Sequence, residues 1–272
     1  MFVDLHLHTT CSDGVLSPQQ LFEEVRRREL RAFCVSDHDT VEAYPVPHDL
    51  AEFIIPGLEV DSQHDGHTVH ILAYGIDDPA TPLLRSLSEQ RLRRHNRMEQ
   101  MIHRCCELGL DVDIAEVITQ ARGVKNLGRP HLARVLVAKG YVQSVQEAFD
   151  RYLADEASGF VALDRGSSQQ TIGWIHRSGG VAIVAHPLRL RRSEHLTELV
   201  ELGIDGIEVE HPTASPQMRL ELENFARERK LLITGGTDFH APNGRDIGVE
   251  FDEEAIERLK RAIERYRLPH LP

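Results

Sequence analysis

Phe2-Val3-Asp4-Leu5-His6-Leu7-His8 alternates apolar and polar side chains with a period of two, so residues 2–8 read as a strand with both histidines on one face. The same theme recurs down the chain. Ala32 to Val35 runs into Ser36-Asp37-His38-Asp39, and Phe53-Ile54-Ile55 runs into Pro56-Gly57-Leu58-Glu59. Thr68 to Tyr74 carries His70, Val181 to Ala185 ends in His186-Pro187, Gly206 to Val209 ends in Glu210-His211, and Leu231 to Thr234 ends near Asp238 and His240. Helical patterns near residues 169–178, 193–202, 215–229 and 253–266 lie between or after these strands, and Ser17-Pro18-Gln19-Gln20 reads as a capped helix start ahead of Leu21, Val25 and Leu30. Strands alternating with helices predict an α/β fold with a parallel sheet or barrel, whose strand carboxyl ends form the active face. Seven strands are one short of the usual eight, so the expected form is a distorted barrel.

From about residue 77 to 168 the alternation stops, and helical stripes take over at Leu83, Leu84 and Leu87, at Met98, Met101, Ile102 and Cys105, and at Leu132, Val135 and Leu136. The expected organisation is therefore a barrel of residues 1–76 and 169–272 with a helical insertion of residues 77–168.

Hydrophobic content of 41% and charged content of 27% are those of an ordinary globular chain. No apolar run is long enough to span a bilayer, and no secretory leader pattern is visible, so neither membrane insertion nor export is expected. Cys11, Cys34, Cys105 and Cys106 show no paired spacing, which predicts a reducing compartment, the cytoplasm, and argues against a disulfide framework or a thiolate zinc site. A formal charge of -12 opposes binding to duplex DNA.

The 16 histidines ask where they fall. A lone histidine is commonly a packed or solvated residue, but His6, His8, Asp13, His38, Glu59, His70, His186, Asp238 and His240 gather at strand ends, and nine nitrogen or oxygen donors suffice for three groups of three. Imidazole with carboxylate and no sulfur suits Mn, Fe or Zn. Three divalent ions against three carboxylates leave a locally positive site, which a phosphate group requires.

His6-Leu7-His8, Asp13, Ser36-Asp37-His38-Asp39, Glu59, His70, His186-Pro187 and Asp238-Phe239-His240 resemble the motifs of the PHP (polymerase and histidinol phosphatase) family, over the first strand to about residue 250. The resemblance implies a distorted (β/α)7 barrel with two to three divalent ions, manganese first and zinc or iron as alternatives. It implies that His6, His8, Glu59 and Asp238 hold one ion, that Glu59, His70 and His186 hold a second, and that Asp13, His38 and His240 hold a third. Asp13, His38 and Glu59 would then serve catalysis, with Asp13 and His38 also reaching substrate.

The chain is most similar to the stand-alone branch with 3′,5′-nucleoside bisphosphate phosphatases and 5′-to-3′ exoribonucleases, and Asn126-Leu127-Gly128-Arg129-Pro130-His131-Leu132-Ala133-Arg134 carries that likeness. Pro130 suits a first helical turn, whose free N–H groups favour an anion. Lys125, Asn126, Arg129, His131 and Arg134 are therefore expected to bind a second phosphate, against the alternative of a solvated helix start. Arg91, Arg93, Arg94 and Arg97 read as a solvated basic face, Asp37 and Asp39 as either partners of ligand histidines or turn formers, His64 and His67 as exposed beside the Asp65-Gly66 turn, His176 as packed, and Glu210 and His211 as candidates to line the cavity. Val41 to Asp49, with Pro45 and Pro47, is too short for the helix that relatives carry there, and Cys11 stands in place of a small hydroxyl residue.

The expected activity is hydrolysis of the 3′-phosphate of nucleoside 3′,5′-bisphosphates by metal-activated water. Cleavage of short 5′-phosphorylated RNA is the nearest alternative. Histidinol phosphate hydrolysis and a non-catalytic metal-binding module stand behind it.

Overall fold

Ser17 caps its helix as its sequence requires: its hydroxyl accepts the Gln20 N–H at 3.3 Å, and the Gln20 side chain accepts the Ser17 N–H at 2.8 Å. The structure is a computed structural model, and it describes residues 1–78, 80–121, 127–154, 157–162, 166–241 and 246–267. The strands are β1 (Phe2–Leu7), β2 (Ala32–Val35), β3 (Gly57–His64), β4 (His67–Tyr74), β5 (Val181–Val184), β6 (Gly206–Glu210), β7 (Leu232–Gly235) and the short β8 (Val249–Glu250). The helices are α1 (Pro18–Arg27), α2 (Pro82–Glu107), α3 (Ile114–Gln120), α4 (Arg129–Ala138), α5 (Val145–Ala148), α6 (Ser168–Arg177), α7 (Glu194–Glu201), α8 (Pro216–Glu228) and α9 (Glu253–Arg267). None is long and apolar enough to cross a membrane, among the described residues.

The chain divides into two compact units, Met1–Arg85 with Arg165–Pro272, and Ser86–Asp164. In the first, the strands form two sheets in the orders β2-β1-β8 and β3-β4-β5-β6-β7. Isolated bridges link the two sheets, Leu7 to Phe239, Phe33 to Ile54 and His38 to Glu59, without a continuous ladder that closes the barrel. The α/β class holds, with pairing that is mixed rather than wholly parallel. β3 pairs antiparallel with β4, and β4 antiparallel with β5, while β1–β2, β5–β6 and β6–β7 are parallel. The two-residue turn at Asp65-Gly66, with φ of 47° and 75°, can only join antiparallel neighbours.

The expected strand at Phe53-Ile54-Ile55 also moves. Pro56 has no N–H to give a ladder, and the strand proper starts at Gly57 opposite Tyr74, so Glu59 lies inside β3 instead of beyond a strand end. No α-helix covers Val41 to Asp49: Tyr44 donates to Val35 O at 2.9 Å and accepts from Gly57 N at 3.0 Å, which pins that segment across the sheet edge.

Ile256, Leu259 and Ile263 of α9 pack on Val3, Leu5, Leu72, Tyr74, Val181 and Ile183, while Leu21, Phe22 and Val25 of α1 pack on Leu7, Phe33, Val35 and Phe239. Each such side chain contributes roughly 1.5–3 kcal/mol by leaving water, so β1 is clamped from both sides and its histidines are fixed with it. The second unit has its own core, in which Met98, Met101, Ile102 and Cys105 of α2 meet Val117 of α3 and Leu132, Val135 and Leu136 of α4.

Candidate metal centre

The end of β1 is tied to the loop after β7, because His8 N donates to Phe239 O at 3.0 Å and Phe239 N to His6 O at 3.3 Å. That pairing sets the His8 ring against the His240 ring, 4.1 Å between centroids. Gly236 permits it: a Cβ there would lie 2.5 Å from the His6 Cβ and 2.6 Å from its backbone nitrogen.

Glu59 is the hub. Its Oε2 lies 3.2 Å from both His6 Nε2 and His8 Nε2, and its Oε1 lies 2.9 Å from His70 Nδ1 and 3.1 Å from His186 Nε2. Asp238 Oδ1 completes the first set at 3.4 Å from His6 Nε2 and 3.5 Å from His8 Nε2. Ligand atoms placed about 2.1 Å from one ion at tetrahedral angles sit about 3.4 Å apart, and these spacings match such edges. His6 Nε2, His8 Nε2 and Glu59 Oε2 are buried and make no hydrogen bond. Leaving such groups unsatisfied costs about 1–3 kcal/mol each, and a divalent ion is what would satisfy them together. The residues fit the ion.

Three of the sets with convergent ligand atoms are His6, His8, Glu59 and Asp238; Glu59, His70 and His186; and His8, Asp13, His38 and His240. A fourth, His38, Asp61 and His70, brings in Asp61, whose Oδ1 is 3.4 Å from both His38 Nδ1 and His70 Nε2. Asp61 was passed over because the strand expected from the sequence, Phe53-Ile54-Ile55, ends well before it, whereas β3 runs through it.

Outer carboxylates hold these side chains in place. Glu208 was missed as well: it takes His6 Nδ1 at 2.9 Å with one oxygen and the His186 N–H at 2.7 Å with the other. A histidine whose Nδ1 proton is so held presents the Nε2 lone pair inward. Asp37 accepts Thr9 N at 2.7 Å, Thr9 Oγ1 at 2.6 Å and Ser12 Oγ at 2.5 Å, which fixes the loop carrying Asp13. Asp39 Oδ1 accepts Asp61 N at 3.2 Å. Asp4, fully buried, accepts Thr237 N at 3.0 Å, Thr237 Oγ1 at 2.6 Å and Gly248 N at 2.8 Å, and so anchors the turn that leads into Asp238. His186 and Asp238 have φ of 29° and 50°, a region that non-glycine residues enter at a cost of order 1–3 kcal/mol. Arg189, half exposed on the turn after His186, places Nη1 2.8 Å from Asp238 Oδ2, and the buried His211 Nε2 is 3.6 Å from the same oxygen. Arg189 was also missed.

The charges are strongly interdependent. Burial opposes a charged His6, but Glu208 and Glu59 outweigh it and hold its pKa well above the ordinary 6.5. Burial likewise opposes the charged forms of His38 and His70, and the carboxylates Glu59 and Asp61 raise both. His186 goes the other way, lowered by burial, which favours the neutral ring. Glu59 is held well below the carboxyl range by His38, His6 and His70 against its burial, and Asp238 and Asp13 are lowered by neighbouring histidines. The same nitrogens that take protons here are the ones an ion would take.

The second-phosphate group fares differently. Lys125 and Asn126 lie outside the described residues. Arg129, part-buried, donates to Leu153 O at 3.0 Å and its guanidinium lies over the rings of Phe149 and Phe160, at 5.5 and 5.3 Å, so it packs against its own unit. His131 Nδ1 accepts the Gly128 N–H at 3.0 Å and closes the first turn of α4, and Arg134 is exposed one turn on. Of the basic run, Arg97 donates to Val161 O and is buried rather than solvated. His176 hydrogen-bonds Asp205 at 2.8 Å and stacks on Tyr266, and Glu210 is paired with Arg219. His67 is exposed, but His64 is part-buried and bonded to Glu198 at 2.6 Å. Cys11 forms no disulfide among the described residues and its N–H donates to Thr9 Oγ1; its side chain has no functional account.

The chain is similar to several known proteins. The 5′-3′ exoribonuclease Rnm of Escherichia coli (strain K12) is 33% identical over 252 residues, covering 88% of this chain and 85% of the relative. The 3′,5′-nucleoside bisphosphate phosphatase of Chromobacterium violaceum is 31% identical over 261 residues, covering 90% of each. A crystal structure from Bifidobacterium adolescentis, named as a candidate metal-dependent phosphoesterase, superposes with a TM-score of 0.77 at 28% identity over 96% of both chains. The family model for the PHP domain matches residues 4–161, and with relatives this similar along most of its length the chain belongs to the PHP family.

Proposed function

We propose that this hydrolase of phosphoric esters acts on nucleotides and removes the 3′-phosphate from nucleoside 3′,5′-bisphosphates. The observation that carries the phosphoesterase reading is the convergence of His6 Nε2, His8 Nε2 and Glu59 Oε2, buried and without hydrogen bonds, at 3.2 Å across each imidazole–carboxylate pair. His6, His8, Glu59 and Asp238 are proposed to hold one divalent ion, Glu59, His70 and His186 a second, and Asp13, His38 and His240 a third. Manganese is proposed first, since nitrogen and oxygen donors without sulfur suit it, as they suit zinc or iron. Such ions, when bound, acidify water and polarise phosphate oxygens.

The chain's own residues do the rest. Glu208 and Asp61 raise the carboxylates of the cluster from three to five, so three dications would leave only about one positive charge. Arg189, beside Asp238, supplies another positive group at the exposed rim and is proposed to neutralise a phosphate oxygen. Asp37 and Asp4 keep the Asp13 and Asp238 loops from moving as charge develops, and the neutral His186 ring is ready to ligate without first losing a proton. His131 and Arg134 are proposed to contact the second phosphate, Arg134 being the exposed cation of α4.

The Escherichia coli relative favours a second reading, stepwise cleavage of short 5′-phosphorylated RNA. A panel of nucleoside 3′,5′-bisphosphates, 5′-mononucleotides and short 5′-phosphorylated RNA, turned over by metal-loaded protein, separates the readings. Preference for bisphosphate is expected. Equal turnover of 5′-mononucleotides would refute the two-phosphate substrate, and preference for RNA would select the second reading.

A further inference from the structure

A second cluster of imidazoles lies at the far end of the β3–β4 hairpin, about 16 Å along β3 from Glu59 at 3.3 Å per residue. His64 and His67 are cross-strand partners either side of the Asp65-Gly66 turn, so their side chains leave the hairpin on one face. His195, in the first turn of α7, lies against both: its ring centroid is 5.2 Å from that of His64 and 5.7 Å from that of His67. Two imidazoles that share an ion through nitrogens about 2.0–2.1 Å from it hold their centroids about 5–6 Å apart. The paired rings His6–His8 and His70–His186 are spaced at 5.1 Å.

The cluster also holds an unsatisfied buried imidazole with carboxylates beside it. His195 is completely buried, yet neither of its ring nitrogens makes a hydrogen bond. Asp65 Oδ2 is 3.7 Å from His195 Nε2, Glu198 Oε2 is 2.6 Å from His64 Nε2, and Glu194 is adjacent on α7. Arg192, 3.2 Å from Asp65, is the competing cation. Three imidazoles with carboxylates at hand suit a borderline divalent ion and not calcium or magnesium, which prefer all-oxygen shells.

We propose that His64, His67 and His195 form a second binding site for a divalent transition ion, with Asp65 or Glu198 as the fourth donor. Binding would tie the hairpin that carries Glu59 and His70 to α7. The site does not depend on the activity proposed above. The donor atoms of this set do not lie within 4.8 Å of one another here, so binding requires the side chains to rotate, with the exposed His67 having the most room to do so.

The test uses manganese-loaded protein titrated with zinc, followed by desalting and elemental analysis of both metals. Wild type is expected to retain one zinc per chain more than the His64→Asn/His67→Asn double variant, with manganese content and phosphoesterase turnover unchanged. Loss of two imidazoles should weaken this site by more than the roughly 10–100-fold that follows loss of an outer-shell partner. The double variant alters a surface turn, so it remains decisive even where His195→Asn fails to fold. Equal zinc retention by wild type and double variant, or zinc uptake matched in both by manganese loss, would overturn the proposal.

Discussion

Glu208→Gln isolates what an outer carboxylate does for this centre. Glu208 uses both oxygens, one on His6 Nδ1 at 2.9 Å and one on the His186 N–H at 2.7 Å, and the residue is buried. An amide has only one oxygen. If it stays on His6, its NH2 faces the His186 N–H and that donor is stranded, at a cost of about 1–3 kcal/mol. If it turns to His186, its NH2 faces His6 Nδ1, the ring proton moves to Nε2, and the lone pair aimed at Glu59 and Asp238 is lost. Either outcome weakens the set that contains His6. Losses of this kind run to roughly 10–100-fold in metal affinity, which is about 1.4–2.8 kcal/mol. Manganese affinity measured by equilibrium dialysis, with cobalt absorption as a second readout of the nitrogen donors, should show one class of ion weakened by that factor, while an ion held by the proposed set Asp13, His38 and His240, which Glu208 does not touch, should stay in place. Binding within twofold of wild type for every ion, together with unchanged turnover, would refute the argument that Glu208 sets the His6 tautomer.

Arg189→Ala should lower kcat/KM for a phosphomonoester by roughly 10²–10³-fold while metal content by elemental analysis holds; a loss of metal instead would mean that Arg189 only positions Asp238. Metal-free protein should lose stability as pH rises: the raised pKa values of His6, His38, His70 and His240 provide stability in full below the ordinary 6.5 that fades as pH climbs through the raised values, and Asp4, pushed up to about 6, acts in the same direction. The lowered Glu59, Asp13 and Asp238 lose their contribution only in acid, so the melting temperature gained on adding manganese should widen from pH 6 to 8, and a constant gain by calorimetry would contradict this. Gly236→Ala would force a Cβ to 2.5 Å from the His6 Cβ; overpacking of this kind costs about 1–3 kcal/mol, and thermal melting unchanged from wild type would show that the loop can retreat.

What was legible in the sequence follows from what is local. Most of the expected ligands sit inside or beside an apolar run, so a period-two pattern was enough to place His6 and His8 on one face, and the strand ends did the same for His38, His186 and His240, whereas Asp13 lies in a polar loop. The hairpin was half visible. Asp65-Gly66 announced a turn, but Phe53-Ile54-Ile55 is the more apolar run, and hydropathy put the strand there; only the missing N–H of Pro56 and the pairing of Gly57 with Tyr74 shift it to Gly57–His64. The packing of Arg129 was not legible for a related reason: a cation one residue before a proline looks like an anion site, and nothing near it in sequence marks Phe149 and Phe160 as the rings it packs on.

Glu208 and Asp4 were nevertheless closer to legible than Arg129. Both lie within strands that are otherwise buried, and a carboxylate inside such a strand must find a positive group or several donors, since an isolated buried charge is prohibitively costly. Asp4 shares its face of β1 with His6 and His8, and Glu208 sits between Ile207 and Val209 on a strand flanked by β5 and β7, whose ends carry His186 and Asp238. The burial requirement alone therefore confines their partners to histidines, backbone N–H groups and hydroxyls at the mouth of the barrel, and the structure joins Glu208 to His6 across 202 residues and Asp4 to Thr237 across 233. In a strand of this kind the lone carboxylate marks the part of the site that holds ligands still, as strongly as a histidine marks the ligand itself.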